Sequence, residues 1–180
     1  MSQEPQTTAT DERPADQYPG IAALIHRKLP AIDFTATETK DNVDLRIGPG
    51  SLLELARGLK DTPGLDFDYF NNLTAVDMVE EGLHAKYFFA SYRQNHSVQV
   101  TVVTPPGQPN LPSLTGLWAA ADWHEREAYE MVGLVFDGHP DLKNLLLDED
   151  LHIHPLLKAH PLARAEILQG IEDATPGFKF

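Results

Sequence analysis

The chain has 180 residues, 27 acidic against 14 basic, giving a formal net charge of −13, and it contains no cysteine. That balance repels a nucleic-acid backbone or an anionic lipid surface. The missing thiols exclude disulfides, thiolate nucleophiles, cysteinyl zinc sites and cysteinyl iron–sulfur ligation by this chain. With 42% hydrophobic residues there is enough apolar material for one domain core. No apolar run approaches the roughly 20 residues of a membrane span, and the N-terminus shows neither a signal core nor an Arg-rich transit pattern, so a prokaryotic cytoplasmic compartment is expected.

Residues 1–17 are polar and acidic and lack the apolar side chains that offset ordering entropy, which predicts a flexible tail. From residue 18 onward Tyr18, Ile21, Ala22, Ile25 and Leu29 follow helical spacing, with Pro19 suited to a first turn and Pro30 ending the run. Residues 32–37 and 43–47 then read as a hairpin closed by Gly48-Pro49-Gly50. A second helix follows: Ser51 and Glu54 have capping-box spacing, Leu52, Leu53, Leu55, Ala56 and Leu59 form its apolar face, and Asp61-Thr62-Pro63-Gly64 stops it.

Residues 67–78, 83–93 and 98–103 have strand patterning, clearest where Val98, Val100 and Val102 alternate with Gln99 and Thr101, and they predict an antiparallel meander. The prolines of residues 105–112 predict a loop, since they cannot donate ladder hydrogen bonds. A turn of helix near residues 113–119 and a helix near residues 123–131 follow. Clustered strands and helices predict an α+β fold: a mostly antiparallel sheet with helices on one face, spanning residues 18–135. Residues 136–180, rich in proline and histidine, predict an extended C-terminal segment lying along another surface.

The helix carries the densest chemistry. Asp122 is placed to cap it, Glu125 to complete a capping box, and Gly133 to take the left-handed C′ conformation. A zinc protease needs His-Glu-x-x-His, and position 128 is alanine, which breaks that motif after His124 and Glu125. Two uses remain for the charges: Arg126 and Glu130 paired at i, i+4 on a free surface, or Glu125, Arg126, Glu127 and Glu130 paired with another subunit. Around Gly138-His139-Pro140 the chain predicts a rigid turn, with no nucleophile marked for a catalytic base. His152, His154 and His160, near Asp148, Glu149 and Asp150, have some spacing of a metal site but no second ligand pair. Gly48-Pro49-Gly50 lacks the spacing of a nucleotide-binding loop. The aromatics Phe67, Tyr69, Phe70, Tyr87, Phe88, Phe89 and Tyr92 read as core and sheet face, because basic interleaving for base stacking is absent.

The run from Trp123 to Gly133 resembles a family pattern, Asn/Trp-x-Glu-Arg-Glu-x-Tyr-Asp/Glu-Met-x-Gly followed by Phe-x-Gly-His-Pro-Asp-Leu. That pattern is found in the thirty-kilodalton subunit of respiratory complex I, the NADH-quinone oxidoreductase. Leu73-Thr74-Ala75-Val76-Asp77, Pro112-Ser113-Leu114-Thr115-Gly116-Leu117-Trp118 and Leu145-Leu146-Leu147-Asp148-Glu149-Asp150 look similar to the family as well. This chain departs at Val132, where an aromatic residue is common, and at Lys143 and Asn144, where the family has two basic residues. It departs again at Leu157, Ala159 and His160, where the family has Arg, Asp and Tyr.

The resemblance implies a non-catalytic subunit of the hydrophilic arm of a proton-translocating NADH:quinone oxidoreductase, on the cytoplasmic side of the bacterial inner membrane. It implies partners that hold the chemistry: a forty-nine-kilodalton subunit, resembling a hydrogenase large chain, that forms the quinone site, and adjacent iron–sulfur subunits. FMN, iron–sulfur clusters and quinone are then expected in those neighbours, with no cofactor or metal on this chain. The implied partner surface is Trp123, Glu125, Arg126, Glu127, Tyr129, Glu130, Gly133, Phe136, Gly138, His139, Pro140, Asp141, His154, Pro155, Lys158 and Pro161. The equivalent subunit of a membrane-bound [NiFe]-hydrogenase or ferredoxin-linked relative is the alternative, and a stand-alone metal-dependent hydrolase using His124, Glu125 and the tail histidines is the reading from a different class.

Overall fold

Strict alternation of side chains fixes the centre of the molecule, which a computed structural model describes for residues 20–39, 42–148 and 151–159. The strands β3 (Tyr69–Asp77), β4 (Leu83–Ser91) and β5 (His96–Thr104) pair antiparallel in succession, forming the expected meander. Ala85, Tyr87 and Phe89 of β4 share a buried face with Val98, Val100 and Val102 of β5, because successive Cβ atoms point to opposite sides of a sheet. The register of β3 shifts between Phe70 and Asn72. The extra residue, Asn71, lets Phe70 and Leu73 bury on the same face despite their odd spacing.

The expected hairpin is present as β1 (Thr35–Glu38) and β2 (Val43–Ile47). Its place was not legible in the sequence: β2 runs parallel to β5, Leu45 beside Val100, and the five-stranded order is β1-β2-β5-β4-β3. A parallel neighbour needs a crossover, and here the chain returns through the helix α2 (Leu52–Asp61) and the β3–β4 hairpin.

The helices α1 (Ile21–Lys28), α2 and α3 (Ala121–Val132) join the sheet's inner face in one core through Ala22 and Ile25, Leu52, Leu55 and Leu59, and Ala121, Ala128 and Val132. Each fully buried leucine there contributes roughly 1.5–3 kcal/mol. The opposite face of the sheet leaves Asn72, Thr74 and Val76 exposed and Lys86, Phe88 and Gln99 half-buried. Among the described residues, no helix is long and apolar enough to cross a membrane.

Four expectations change. The helix α1 starts at Ile21, with Gly20 at its N-cap; Tyr18, Pro19 and the expected tail at residues 1–17 lie outside the described residues. The capping box on α2 is not formed, because a 3₁₀ turn at Pro49–Ser51 winds into the helix and leaves Ser51 with helical angles and no side-chain cap. The proline-rich loop ends in a strand: β6 (Asn110–Pro112) pairs parallel with β7 (Val135–Asp137), burying Leu111 beside Phe136. Pro112 is tolerated there because β6 is a short edge strand. The boundary expected at residue 136 therefore falls inside β7, and the body of the domain continues through it.

Candidate interaction site on helix α3

Along α3 the positions 121, 125, 128 and 132 lie on one face, so Glu125 points into the core between Ala121, Ala128 and Val132. It is 0% exposed. One carboxylate oxygen accepts from Ser113 Oγ at 2.7 Å and the other from Leu114 N at 2.6 Å. Burial raises its pKa above the usual glutamate value; those two donors and the His139 ring work against the shift, and Asp122 adds to it. Burial, with the Glu125 charge nearby, pushes the Tyr87 hydroxyl well up as well. The expected capping roles are not realised: Ala120 is the N-cap, with no side-chain bond, and Asp122 lies in the first turn. His139 reaches back to Asp122, its Nε2 lying 3.2 Å from the backbone O and 3.3 Å from Oδ1, while Nδ1 accepts from Asp141 N at 3.1 Å. With Nδ1 accepting, the ring proton belongs on Nε2. The histidine pins its own turn to the start of α3.

One turn apart on the next face, Arg126 and Glu130 are not paired with each other. Arg126 donates from Nε to Lys143 O at 3.0 Å and from Nη2 to Asn144 O at 2.7 Å. The carboxylate of Glu130, 1% exposed, accepts from the backbone N–H of Leu145 at 2.8 Å, Leu146 at 3.1 Å and Leu147 at 3.2 Å. A cation thus takes the carbonyls and an anion the amides of one strap, residues 143–147, and charge-assisted bonds of this kind are the stronger class. Asn144, a departure from the family pattern, braces the strap from within by donating to Asp148 O and Leu151 O.

The C-terminal carbonyls of α3, which a helix leaves without internal partners, are met by the tail. Gly133 N donates to Tyr129 O at 2.9 Å, His154 Nδ1 lies 3.0 Å from Glu130 O, and Leu156 N donates to Met131 O at 2.9 Å. Lys158 N then donates to Asp77 Oδ2 at 3.0 Å. The tail at residues 151–159 accordingly lies on its own domain. Gly133 takes the left-handed conformation expected, φ 78° and ψ 21°. It also admits the His154 ring, whose Cδ2 would lie 3.0 Å from a Cβ at position 133. Gly133→Ala is expected to cost about 1–2 kcal/mol, from the positive φ and the displaced ring. A lowered denaturation midpoint with faster amide exchange at Leu156 checks this.

Many of the residues assigned to a partner surface thus have tasks inside the chain. Glu125, Arg126, Glu130, His139 and His154 hold turns, strap and tail; Phe136 is core; Gly133 closes α3. Glu127, Gly138, Pro140, Asp141 and Lys158 are exposed, Tyr129 and Pro155 half-buried, and Pro161 lies outside the described residues, as does His160. Trp123 is 67% exposed. Ser113, Leu114 and above all Leu146, whose side chain is 65% exposed although its amide is fixed to Glu130, lie in segments that look similar to the family but were given no role from the sequence. The hydrolase arrangement is not formed: the His124 ring packs at a tilt on Phe70, with ring centroids 5.6 Å apart, while the Glu125 carboxylate is taken up by Ser113 and Leu114. Among the described residues, no three His, Asp or Glu side chains are grouped to hold a metal ion.

The C-type subunit of NADH-quinone oxidoreductase from Roseiflexus castenholzii is 34% identical over 151 residues, covering 83% of this chain and 87% of that one. The protein of the same name from Mycobacterium avium is 36% identical over 126 residues, covering 68% of this chain and 54% of that one. Among solved structures, the trypsin-resistant fragment (1–134) of Nqo5 superposes with a TM-score of 0.57 at 23% identity, covering 66% of this chain and 97% of the fragment. A chain of the membrane-bound sulfane sulfur reductase, an archaeal respiratory membrane complex, gives a TM-score of 0.68 at 17% identity, covering 89% and 94%. The profile described as the 30 Kd subunit of respiratory-chain NADH dehydrogenase matches residues 45–166, the stretch that holds α3, its strap and its tail, and the chain belongs to that family.

Proposed function

We propose that this chain is a non-catalytic, peripheral subunit of the hydrophilic arm of a proton-translocating NADH:quinone oxidoreductase, on the cytoplasmic side of the bacterial inner membrane. Its neighbours, the forty-nine-kilodalton hydrogenase-like subunit and the adjacent iron–sulfur subunits, carry FMN, clusters and quinone, and this chain fixes their arrangement. One observation supports the reading most: Trp123 and Leu146 stand two thirds exposed on a backbone that Arg126 and Glu130 lock in place. Exposed tryptophan is a frequent anchor of interfaces. A surface already rigid loses little conformational freedom on docking.

Only part of the family signature therefore faces outward. Trp123, Glu127 and Leu146 meet the partner, and Glu125, Arg126 and Glu130 shape the surface from beneath. Changing Trp123 and Leu146 together to alanine is expected to leave the melting temperature of the isolated chain unchanged, remove the chain from the purified complex, and lower quinone reduction by more than about tenfold, an interface loss of roughly 1.4 kcal/mol or more. A purified complex of normal composition and activity would overturn the docking role. Mass spectrometry of the co-purified subunits separates an NADH-linked complex from a hydrogenase or ferredoxin-linked relative.

A further inference from the structure

We infer that the outer edge of β3 receives an extended segment of a neighbouring subunit as a sixth strand of the sheet. The sheet has two ends. One is β1, with 4 residues; the other is β3, with 9. No strand among the described residues pairs with the outer edge of β3, so alternate residues direct N–H and C=O groups away from β4. Proteins usually protect such an edge with lysine, proline or a very short strand. Between Tyr69 and Val76 there is neither charge nor proline, and the single irregularity is the bulge at Asn71.

The surroundings of the edge match an added strand. A gap of about 50 Å³ lies between β3 and α3, lined by Leu73, Thr74, Ala75, Glu127, Ala128, Met131 and Leu156. Every second side chain of a strand laid along β3 would point toward α3, and a small side chain there would fill the gap. Glu127 is exposed at its rim and complements a basic residue of the incoming segment. On the opposite face Val76 and Tyr69 are exposed for contact with the alternate side chains.

Charge selects against a second copy of this chain. Pairing two β3 strands antiparallel about their midpoints brings Asp68 of one near Asp77 of the other at both ends, and like charges so placed oppose pairing. The net charge of −13 adds repulsion at longer range. Charge thus favours a different polypeptide over a second copy: extended, with a small residue facing α3 and a basic residue beside Glu127.

The inference rests on the docking role proposed above in taking that strand from a neighbouring subunit. Amide hydrogen exchange of the full chain, alone and within the purified complex, tests both separately. The outward amides of β3 are expected to exchange in the isolated chain and to slow at least about tenfold in the complex. Unchanged β3 exchange with protection gained at α3 and the strap overturns the added strand and leaves the docking role standing. Loss of protection gain at both sites overturns both. An isolated chain with β3 already protected assigns the edge to a second copy if it is dimeric and to this chain's own residues if it is monomeric, and either result overturns the inference.

Discussion

Replacing Glu130 by alanine is expected to free residues 143–147 from α3 and to lower the unfolding free energy by about 2–4 kcal/mol. The carboxylate is buried and accepts from three consecutive backbone amides. Without it those amides need water, and Arg126 alone, holding two carbonyls, cannot replace the lost acceptors. Glu130→Gln keeps one acceptor oxygen and should fall between the two. Denaturant unfolding reads the stability. Exchange at Leu145, Leu146 and Leu147 reads the strap, and should accelerate in the alanine variant well beyond the change at the core strands. An unchanged midpoint with unchanged exchange would show that the strap is held by something other than this carboxylate. The same variant should lose the complex, since Leu146 is presented through the bond that is removed.

Glu125 should dominate the acid side of the stability profile. Its folded pKa is raised above the ordinary value of 4.5, chiefly by burial. Between those two values the folded chain binds more protons than the unfolded one. The stabilising contribution is therefore complete below pH 4.5 and is lost as pH rises through the folded pKa. Glu125→Gln removes that slope. Its amide oxygen still accepts from Leu114 N and its NH₂ can donate to Ser113 Oγ, so stability at neutral pH should stay within about 1 kcal/mol of the parent. Glu125→Ala, in contrast, leaves the Leu114 amide buried without a partner and opens a cavity beside Ala121 and Ala128, at a cost of about 2–4 kcal/mol. Denaturation midpoints measured from pH 4 to pH 8, a range set by the ordinary value of 4.5, distinguish the two variants. A glutamine variant with the parent's slope would assign the proton uptake to another group.

What was legible in the sequence had local signals. The meander follows from the alternation of Val98, Val100 and Val102 and from short connections, α2 from its leucine face, and the end of α3 from Gly133. The parallel pairings, β2 with β5 and β6 with β7, join segments far apart in the chain and leave no local periodicity. The charged helix misled for a different reason. Carboxylates are mostly solvated, so Glu125 and Glu130 read as surface charge. Yet Ala121, Glu125, Ala128 and Val132 have the spacing of a buried stripe, and that signal was present in the sequence. For Glu130 there was none, because its partners are backbone amides that any residue supplies.

Among the described residues, the partners that hold the tail precede it in the chain. His154, Leu156 and Lys158 bond to Glu130, Met131 and Asp77, and the strap bonds to Arg126 and Glu130. During synthesis from the N-terminus, the sheet and α3 can form before the residues that complete the outer face have left the ribosome. Leu146 and the latch at Asp77 are added after the core. A nascent chain accordingly has its core before it has its docking face, which postpones recognition by the other subunits until the tail through Lys158 has emerged.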